Sequence, residues 1–182
     1  VKIVHGNIHD TEHLKEYMKD HDTIIHLAAL IAIPYSYENP RAYIRTNVEG
    51  SLNVFQAALE VGAKKVIHTS TSEVYGTPHT VPIKETFPLQ GQSPYSASKI
   101  AADKVAESYF NSFDLPLVIA RPFNNYGPRQ SARAFIPTVI LQALYGDKIM
   151  HGSLHPTRDY LYAEDTADAY FTLAKASNVN GK

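Results

Sequence analysis

Two short stretches carry the residue types that do chemistry. Tyr95 and Lys99 stand four apart, and Thr69-Ser70-Thr71-Ser72-Glu73 precedes them. Residues four apart on a helix share a face, so the Lys99 ammonium is expected beside the Tyr95 hydroxyl. A free tyrosine titrates near ~10, and a nearby positive charge favours the phenolate and lowers that value. A tyrosine tuned in this way can take the proton of an alcohol while the same carbon gives up hydride. Taken alone, Tyr-x-x-x-Lys describes a solvated helix face at least as well. The second stretch changes the weighting. Ser70–Glu73 fall at the C-terminal end of a predicted strand, where open α/β sheets bind their ligands. Hydroxyls followed by a carboxylate are an uneconomical end for a structural strand, although a capped turn before Val74-Tyr75-Gly76 would use the same residues.

The elements that must position these groups alternate along the chain. Val1–His5 reads as a short strand, and Thr11–Asp20 as a polar helix that Thr11 could cap. Thr23–Ala28 is β-branched and apolar, a buried strand. A long helix is expected over about Pro40–Val61, with Val48, Leu52, Phe55 and Leu59 on one face and Gly62 stopping it. Lys65–Ser70 is the next strand, followed by a loop over Gly76–Ser93. Ser93 then caps a helix with Pro94 in its first turn, running to about Phe113. Leu117–Ala120 is a strand, and Arg133–Tyr145 and Ala163–Ala176 are helices. This alternation predicts a parallel sheet with helices on both faces, in one compact unit without a linker.

The 182 residues suffice for one domain with a real core. Hydrophobic residues at 44% and charged residues at 19% are ordinary for a soluble globular protein. A net charge of −1 gives no basic footprint for nucleic acid or anionic membrane. With no cysteine, disulfides and thiolate metal sites are excluded, and a reducing, cytoplasmic setting is the expectation. The most apolar run, Thr23–Ile33, is too short to span a bilayer. No signal or transit segment is visible. The abrupt ends, at Val1 and at Asn180-Gly181-Lys182, read as those of a fragment of a longer protein.

Six motifs in order then carry a resemblance over nearly the whole chain. They are His26-Leu27-Ala28-Ala29, Asn47-Val48-Glu49-Gly50, Ser70-Thr71-Ser72-Glu73-Val74-Tyr75-Gly76, Ser93-Pro94-Tyr95-Ser96-Ala97-Ser98-Lys99, Arg121-Pro122-Phe123-Asn124-Asn125-Tyr126-Gly127-Pro128-Arg129 and Arg158-Asp159-Tyr160. The chain resembles the extended short-chain dehydrogenases/reductases of the NAD-dependent nucleotide-sugar epimerase/dehydratase family. Gln90-Gly91-Gln92-Ser93-Pro94-Tyr95 and Gly152-Ser153-Leu154-His155-Pro156-Thr157-Arg158-Asp159 bring it nearest to 4,6-dehydratases of nucleotide-linked N-acetylglucosamine, of the legionaminic-acid type.

The resemblance implies a Rossmann-type doubly wound α/β fold over 1–182, with the beginning of a substrate-binding lobe at about 127–160. It implies a catalytic triad of Thr71, Tyr95 and Lys99, with Lys99 also on the nicotinamide ribose. Ala28, Ala29 and Ser70 would line NAD, Pro122 and Phe123 would touch its nicotinamide end, and Asn7 and Ile8 would sit by the adenine. Asn124 and Arg158 would hold the substrate diphosphate, a task suited to the planar arginine fork, and Arg129 is a further candidate for it. In a dehydratase Tyr95 takes the 4-hydroxyl proton as C4 is oxidised, Glu73 removes the C5 proton, water leaves from C6, and the hydride returns there.

Departures from the family pattern leave some roles open. Ser72-Glu73 stands where dTDP-glucose dehydratases have Asp-Glu, so Ser72 or Thr71 becomes the candidate acid. Ser-Glu also occurs in GDP-mannose dehydratases and UDP-glucuronate decarboxylases, so a decarboxylase or a 4-epimerase is the runner-up, and a non-catalytic nucleotide sensor is the alternative from another class. Asn7 stands where many relatives have Asp. The Gly-x-x-Gly-x-x-Gly loop that binds the pyrophosphate has no counterpart among the nine glycines. The resemblance places that loop before Val1 and part of the lobe after Lys182, so the chain as it stands is expected to bind NAD poorly. It also implies a homodimer through the helices at about Pro40–Val61 and Tyr95–Phe113. No metal is expected: His5, His9 and His13 are four apart, but Gly6-Asn7 breaks the helix they would need. Glu164, Asp165 and Asp168 read as the acidic first turn of a helix.

Overall fold

The computed structural model describes residues 1–182. Its helices are α1 (Thr11–Met18), α2 (Ile33–Glu38), α3 (Pro40–Tyr43), α4 (Gly50–Glu60), α5 (Pro94–Phe113), α6 (Phe135–Tyr145) and α7 (Ala163–Lys175). Its strands are β1 (Thr23–His26), β2 (Lys65–Thr69), β3 (Leu117–Ala120), β4 (Asn124–Tyr126) and β5 (Tyr160–Tyr162). The chain divides into two compact units, Val1–Arg121 with Thr172–Lys182, and Pro122–Phe171, although no linker composition marks the division.

In the first unit β1, β2 and β3 form a parallel sheet in the order β1-β2-β3, with Ile25 beside Ile67 and Ile67 beside Val118. Parallel pairing requires crossover connections, and the helices supply them. This is a Rossmann-type arrangement. Met18 of α1, Val54, Phe55 and Ala58 of α4, and Ala106 and Tyr109 of α5 close over Val66 and Leu117 to form the core. Burying each large apolar side chain contributes roughly 1.5–3 kcal/mol.

Several local expectations are corrected. Val1–His5 is exposed and outside any strand. Asp10, not Thr11, caps α1, its carboxylate accepting from the His13 amide. β1 is an edge strand with Ile25 on an uncovered face, so the apolar run is only half buried. The long helix is not uniform, since a π-helical segment, Ile44–Glu49, separates α3 from α4. The buried face runs through Asn47, Gly50, Ser51, Val54, Phe55 and Ala58, while Leu52 is exposed. Gly50 packs closely on the Ile8 side chain, which would have to shift to admit a methyl group there.

α5 begins as expected. Ser93 accepts from the Ser96 amide at 3.0 Å, and Ser96 Oγ accepts from the Ser93 amide at 2.9 Å. This reciprocal cap contributes about 1 kcal/mol and fixes the start of the helix one residue before Tyr95.

In the second unit β4 and β5 pair in parallel, with Asn124 opposite Tyr160, and α6 follows the loop after β4. No helix in the chain is long and apolar enough to cross a membrane.

Candidate active site

The ends of β1, β2 and β3 share one edge of the parallel sheet, the C-terminal edge. Ala28-Ala29 leave β1 there, Ser70 leaves β2 and Arg121 leaves β3. Ser70 is buried and its amide donates to the Ala120 carbonyl at 2.7 Å. Thr71 then caps a 3-10 turn over Ser72–Tyr75, its hydroxyl accepting from the Glu73 amide at 3.3 Å. The capped-turn reading is therefore correct. It is not the whole account, because the Thr71 side chain also lies near enough to the Tyr95 phenol to pull its pKa down.

Tyr95 and Lys99 lie on the inner face of α5, 7% and 2% exposed. Tyr95 packs edge-on against Tyr43, with ring centres 6.2 Å apart. Lys99 Nζ donates to the Thr69 carbonyl at 2.6 Å. Thr71, Tyr95, Lys99 and the end of β2 thus form one cluster. Glu73 is close enough to Tyr95 for its charge to be felt.

The electrostatics reverse one expectation. Burial pushes the Tyr95 phenol above its ordinary value; the Thr71 side chain pulls it down, but Glu73, Tyr43 and Asp103 push the same way as burial. Lys99 itself is pulled down to about 8 by burial, with Asp103 opposing. At neutral pH the cluster therefore holds a protonated phenol and an ammonium.

Behind it lies a polar layer the sequence reading did not assign. Asn47 Oδ1 accepts from the Leu30 amide at 2.8 Å, and its Nδ2 donates to the Leu30 carbonyl at 3.0 Å and to Ser98 Oγ at 2.9 Å. One carboxamide thereby ties the loop after β1 to α5, next to Lys99. His26 and His68 stack at 5.5 Å between ring centres, and His26 Nε2 is 3.0 Å from Ser51 Oγ. Burial lowers both imidazoles, His26 to about 3, so both are neutral at pH 7. Asp103 lies 3.4 Å from His68 Nε2 and accepts from Arg121 Nε at 3.0 Å. Burial raises the Asp103 carboxyl, but His68, Ser70 and Arg121 outweigh it and hold it below the usual range. Because His68 is neutral, the permanent charge of Arg121 is the effective counter-ion.

The remaining candidates divide between the units. Asn7 Oδ1 accepts from the His9 amide at 3.0 Å, so its acceptor is already engaged in a turn. Ile8 is half-buried against Gly50. Ala28 is exposed and Ala29 half-buried, leaving open space at the end of β1. Ser72 is half-buried in the turn with Glu73.

Pro122, Phe123, Asn124, Arg129 and Arg158 belong to the second unit. There the Asn124 amide donates to the Asp159 carbonyl at 3.2 Å, which brings Asn124 beside the exposed Arg158 at the start of the paired strands. Arg129 lies beyond the other end of β4 with φ of 67°, a conformation uncommon for a residue with a side chain. It lines a groove of about 540 Å³ together with Tyr126, Ile136, Ile140 and Tyr162. His13 pairs with Asp10 at 2.8 Å, and no group of three His, Asp or Glu side chains is placed to hold a metal ion.

Asp103 had a legible signal, since it stands four residues beyond Lys99 and so shares its helix face. Asn47 shares the inward helix face of Ser51, Val54 and Ala58, but a polar residue there carries no hydrophobic signal.

The sequence matches the family described as GDP-mannose 4,6 dehydratase over residues 1–181. It is 33% identical over 179 residues to the low-salt glycan biosynthesis protein Agl12 of Haloferax volcanii, covering 98% of this chain and 58% of that one. DesIV, the dTDP-glucose 4,6-dehydratase of Streptomyces venezuelae solved with NAD and TYD bound, superposes with a TM-score of 0.90 at 33% identity, over 98% of this chain and 55% of its own. A UDP-N-acetylglucosamine 4-epimerase from Methanobrevibacter ruminantium M1, in complex with UDP-N-acetylmuramic acid, gives 0.89 at 33% identity, covering 98% and 59%. The chain thus spans little more than half the length of these relatives, and it belongs to the GDP-mannose 4,6 dehydratase family, among the nucleotide-sugar dehydratases and epimerases of the extended short-chain dehydrogenase/reductase group.

Proposed function

We propose that the protein is an NAD-dependent nucleotide-sugar 4,6-dehydratase that converts a nucleotide-diphospho-N-acetylglucosamine to its 4-keto-6-deoxy form. The observation that carries this reading is the joining of Thr71, Tyr95 and Lys99 at the end of β2, with Glu73 on the turn beside them.

The residues present fit a dinucleotide. A buried cation lies among hydroxyls, and small exposed residues follow β1 at the sheet edge where such ligands bind. Lys99 would hold the nicotinamide ribose, Ala28, Ala29 and Ser70 would line the site, Ile8 and Asn7 would sit by the adenine, and Pro122 and Phe123 would meet the nicotinamide end. NAD, when bound, supplies a reversible hydride acceptor. The buried Tyr95 phenol first gives up its own proton to solvent, and the phenolate then takes the proton of the 4-hydroxyl. Oxidation at C4 makes the C5 proton acidic, and Glu73 removes it. Ser72 or Thr71 relays a proton from water to the leaving 6-hydroxyl, the hydride taken from C4 is returned to C6, and C5 regains a proton from Glu73. Asn124, Arg158 and Arg129 hold the diphosphate.

A 4-epimerase is the second reading, favoured by the equally close likeness to the UDP-N-acetylglucosamine 4-epimerase. An epimerase needs no C5 base, so Glu73 separates the two. The deciding experiment incubates the full-length protein with NAD+ and UDP- or GDP-N-acetylglucosamine and follows the sugar nucleotide by mass spectrometry. Loss of about 18 Da, one water, supports the dehydratase. An unchanged mass with inverted C4 moves the assignment to the epimerase, and loss of carbon dioxide from UDP-glucuronate moves it to a decarboxylase.

A homodimer through the exposed sides of α4 and α5 accompanies this reading. Leu52 and Phe113 are 40% and 54% exposed there, and light scattering showing a monomer would refute it.

A further inference from the structure

The chemistry proposed above leaves one fully buried charge without a task. Asp103 lies one helical turn beyond Lys99 on α5 and has no solvent exposure. Its Oδ2 accepts from Arg121 Nε at 3.0 Å, and its Oδ1 stands 3.4 Å from His68 Nε2 on β2. Arg121, at the end of β3, also donates Nη1 to the Tyr75 hydroxyl at 3.1 Å, with its guanidinium 5.4 Å from the centre of that ring. Tyr75 is two residues after Glu73 on the same turn. A single carboxylate therefore joins α5 to the end of β3 and, through Arg121, to the turn that bears Glu73.

A tie made only for stability could be apolar, because a buried ion pair is often no better than well-packed hydrophobic residues of the same volume. Apolar packing could not supply a negative charge on the helix face that carries a buried lysine. We propose that Asp103 is a positioning residue of the site: held on Arg121, its carboxylate ties the helix bearing Tyr95 and Lys99 to the end of β3 and to the Glu73 turn, and it puts a buried negative charge one helical turn from the Lys99 ammonium. This rests on the reading of Lys99 as the cation of the active site.

The other groups around Lys99 do not substitute for it. His26 on β1 and His68 on β2 are held neutral by burial. Arg121 beyond β3 is positive and already paired. Tyr43 and Tyr95 are phenols that burial keeps protonated. Thr69 offers a carbonyl without net charge. Glu73 is negative but half-exposed on the turn. Burial draws the Lys99 proton off, and Asp103 opposes it. Without the carboxylate, Lys99 loses its proton at lower pH.

The test is a titration of Lys99 in the full-length protein by NMR of 13Cε-labelled lysine, with the resonance assigned by its absence in Lys99→Arg. In Asp103→Asn, which keeps the side-chain shape, the Lys99 midpoint is expected to fall below that of the wild type. The alkaline loss of substrate oxidation should move down with it, with a deficit of about ten-fold or more at pH 8 that shrinks towards pH 6.5. An unmoved Lys99 midpoint in a folded Asp103→Asn protein overturns the proposal, as does a loss of rate equal at every pH. If Asn at this position prevents folding, Asp103→Glu carries the test. The longer carboxylate keeps the charge, so the midpoint must hold, and a fall in spite of it overturns the proposal. A wild-type protein that oxidises no nucleotide sugar would remove the functional reading and leave the Lys99 titration to judge this one.

Discussion

Lys99 Nζ donates to the Thr69 carbonyl at 2.6 Å, so the buried cation of α5 is anchored on the last residue of β2. That anchoring sets both its cost and its use. Burial brings the ammonium down to about 8 from 10.5, a penalty on the order of 3 kcal/mol for keeping it charged in the folded state. The folded pKa lies below the unfolded one. The penalty is therefore complete below about pH 8 and is relieved as pH rises from there towards 10.5. Lys99→Met removes the penalty and keeps the length of the side chain. The variant is expected to melt at or above the wild-type temperature at pH 7 in calorimetry, while losing the oxidation of substrate. A large fall in melting temperature would mean that the hydrogen bond to Thr69 outweighs the burial of the charge.

Tyr95→Phe and Glu73→Gln separate the two halves of the proposed reaction. Tyr95 loses only its hydroxyl, and its ring stays packed on Tyr43. The fold should survive, and the first hydride step, followed by stopped-flow absorbance of NADH, should slow by about two to four orders of magnitude. Glu73→Gln should leave formation of the 4-keto sugar and stop the loss of water. Rapid turnover by Tyr95→Phe would remove that residue as the base, and continued water loss by Glu73→Gln would require another base at C5.

The start of α5 was legible because it depends on local chemistry. Ser93 as cap, Pro94 in the first turn, and Tyr95 and Lys99 one helical turn apart need no tertiary information. The central strand was legible for the same kind of reason, being a short β-branched run ahead of hydroxyl residues. The failures depend on neighbours. Val1–His5 has the composition of a strand but lies outside any strand, and β1 is apolar yet lies at an edge. The inward face of the helix after Ile44 includes the small or polar Asn47, Ser51 and Ala58, which a hydrophobic pattern passes over in favour of Leu52. The Tyr95 shift had the wrong sign because spacing reveals which charges are near but not how completely water is excluded, and here burial is the larger effect.

Asn47 gives a test of the polar layer that spacing did not reveal. Its carboxamide satisfies both the amide and the carbonyl of Leu30 and reaches Ser98. Asn47→Ala would remove the side-chain partner of the half-buried Leu30 amide and carbonyl, at a cost of roughly 1–3 kcal/mol. The expected readout is a lowered urea midpoint with an unchanged m-value. Amide exchange should quicken at Leu30 more than in β2. Uniform quickening across the sheet would mean that Asn47 supports the whole fold rather than the loop after β1.

His26 sets the acid limit of this fold. Its ring is 5% exposed, with Ser51 as its hydrogen-bond partner and His68 stacked against it. Burial, then the charges of His68 and Lys99, lower it from 6.5 to about 3. Between those values the unfolded chain binds a proton that the folded chain refuses, so stability falls as pH drops through that window. The penalty is complete below about pH 3, and a shift of this size corresponds to several kcal/mol. His26→Gln has no proton to gain and keeps a donor for Ser51. Its stability should therefore fall less steeply between pH 6.5 and 4 than that of the wild type, with His68, shifted in the same direction, accounting for the slope that remains. Urea unfolding at a series of pH values measures both slopes. Equal slopes would place the acid sensitivity of this window in His68 instead.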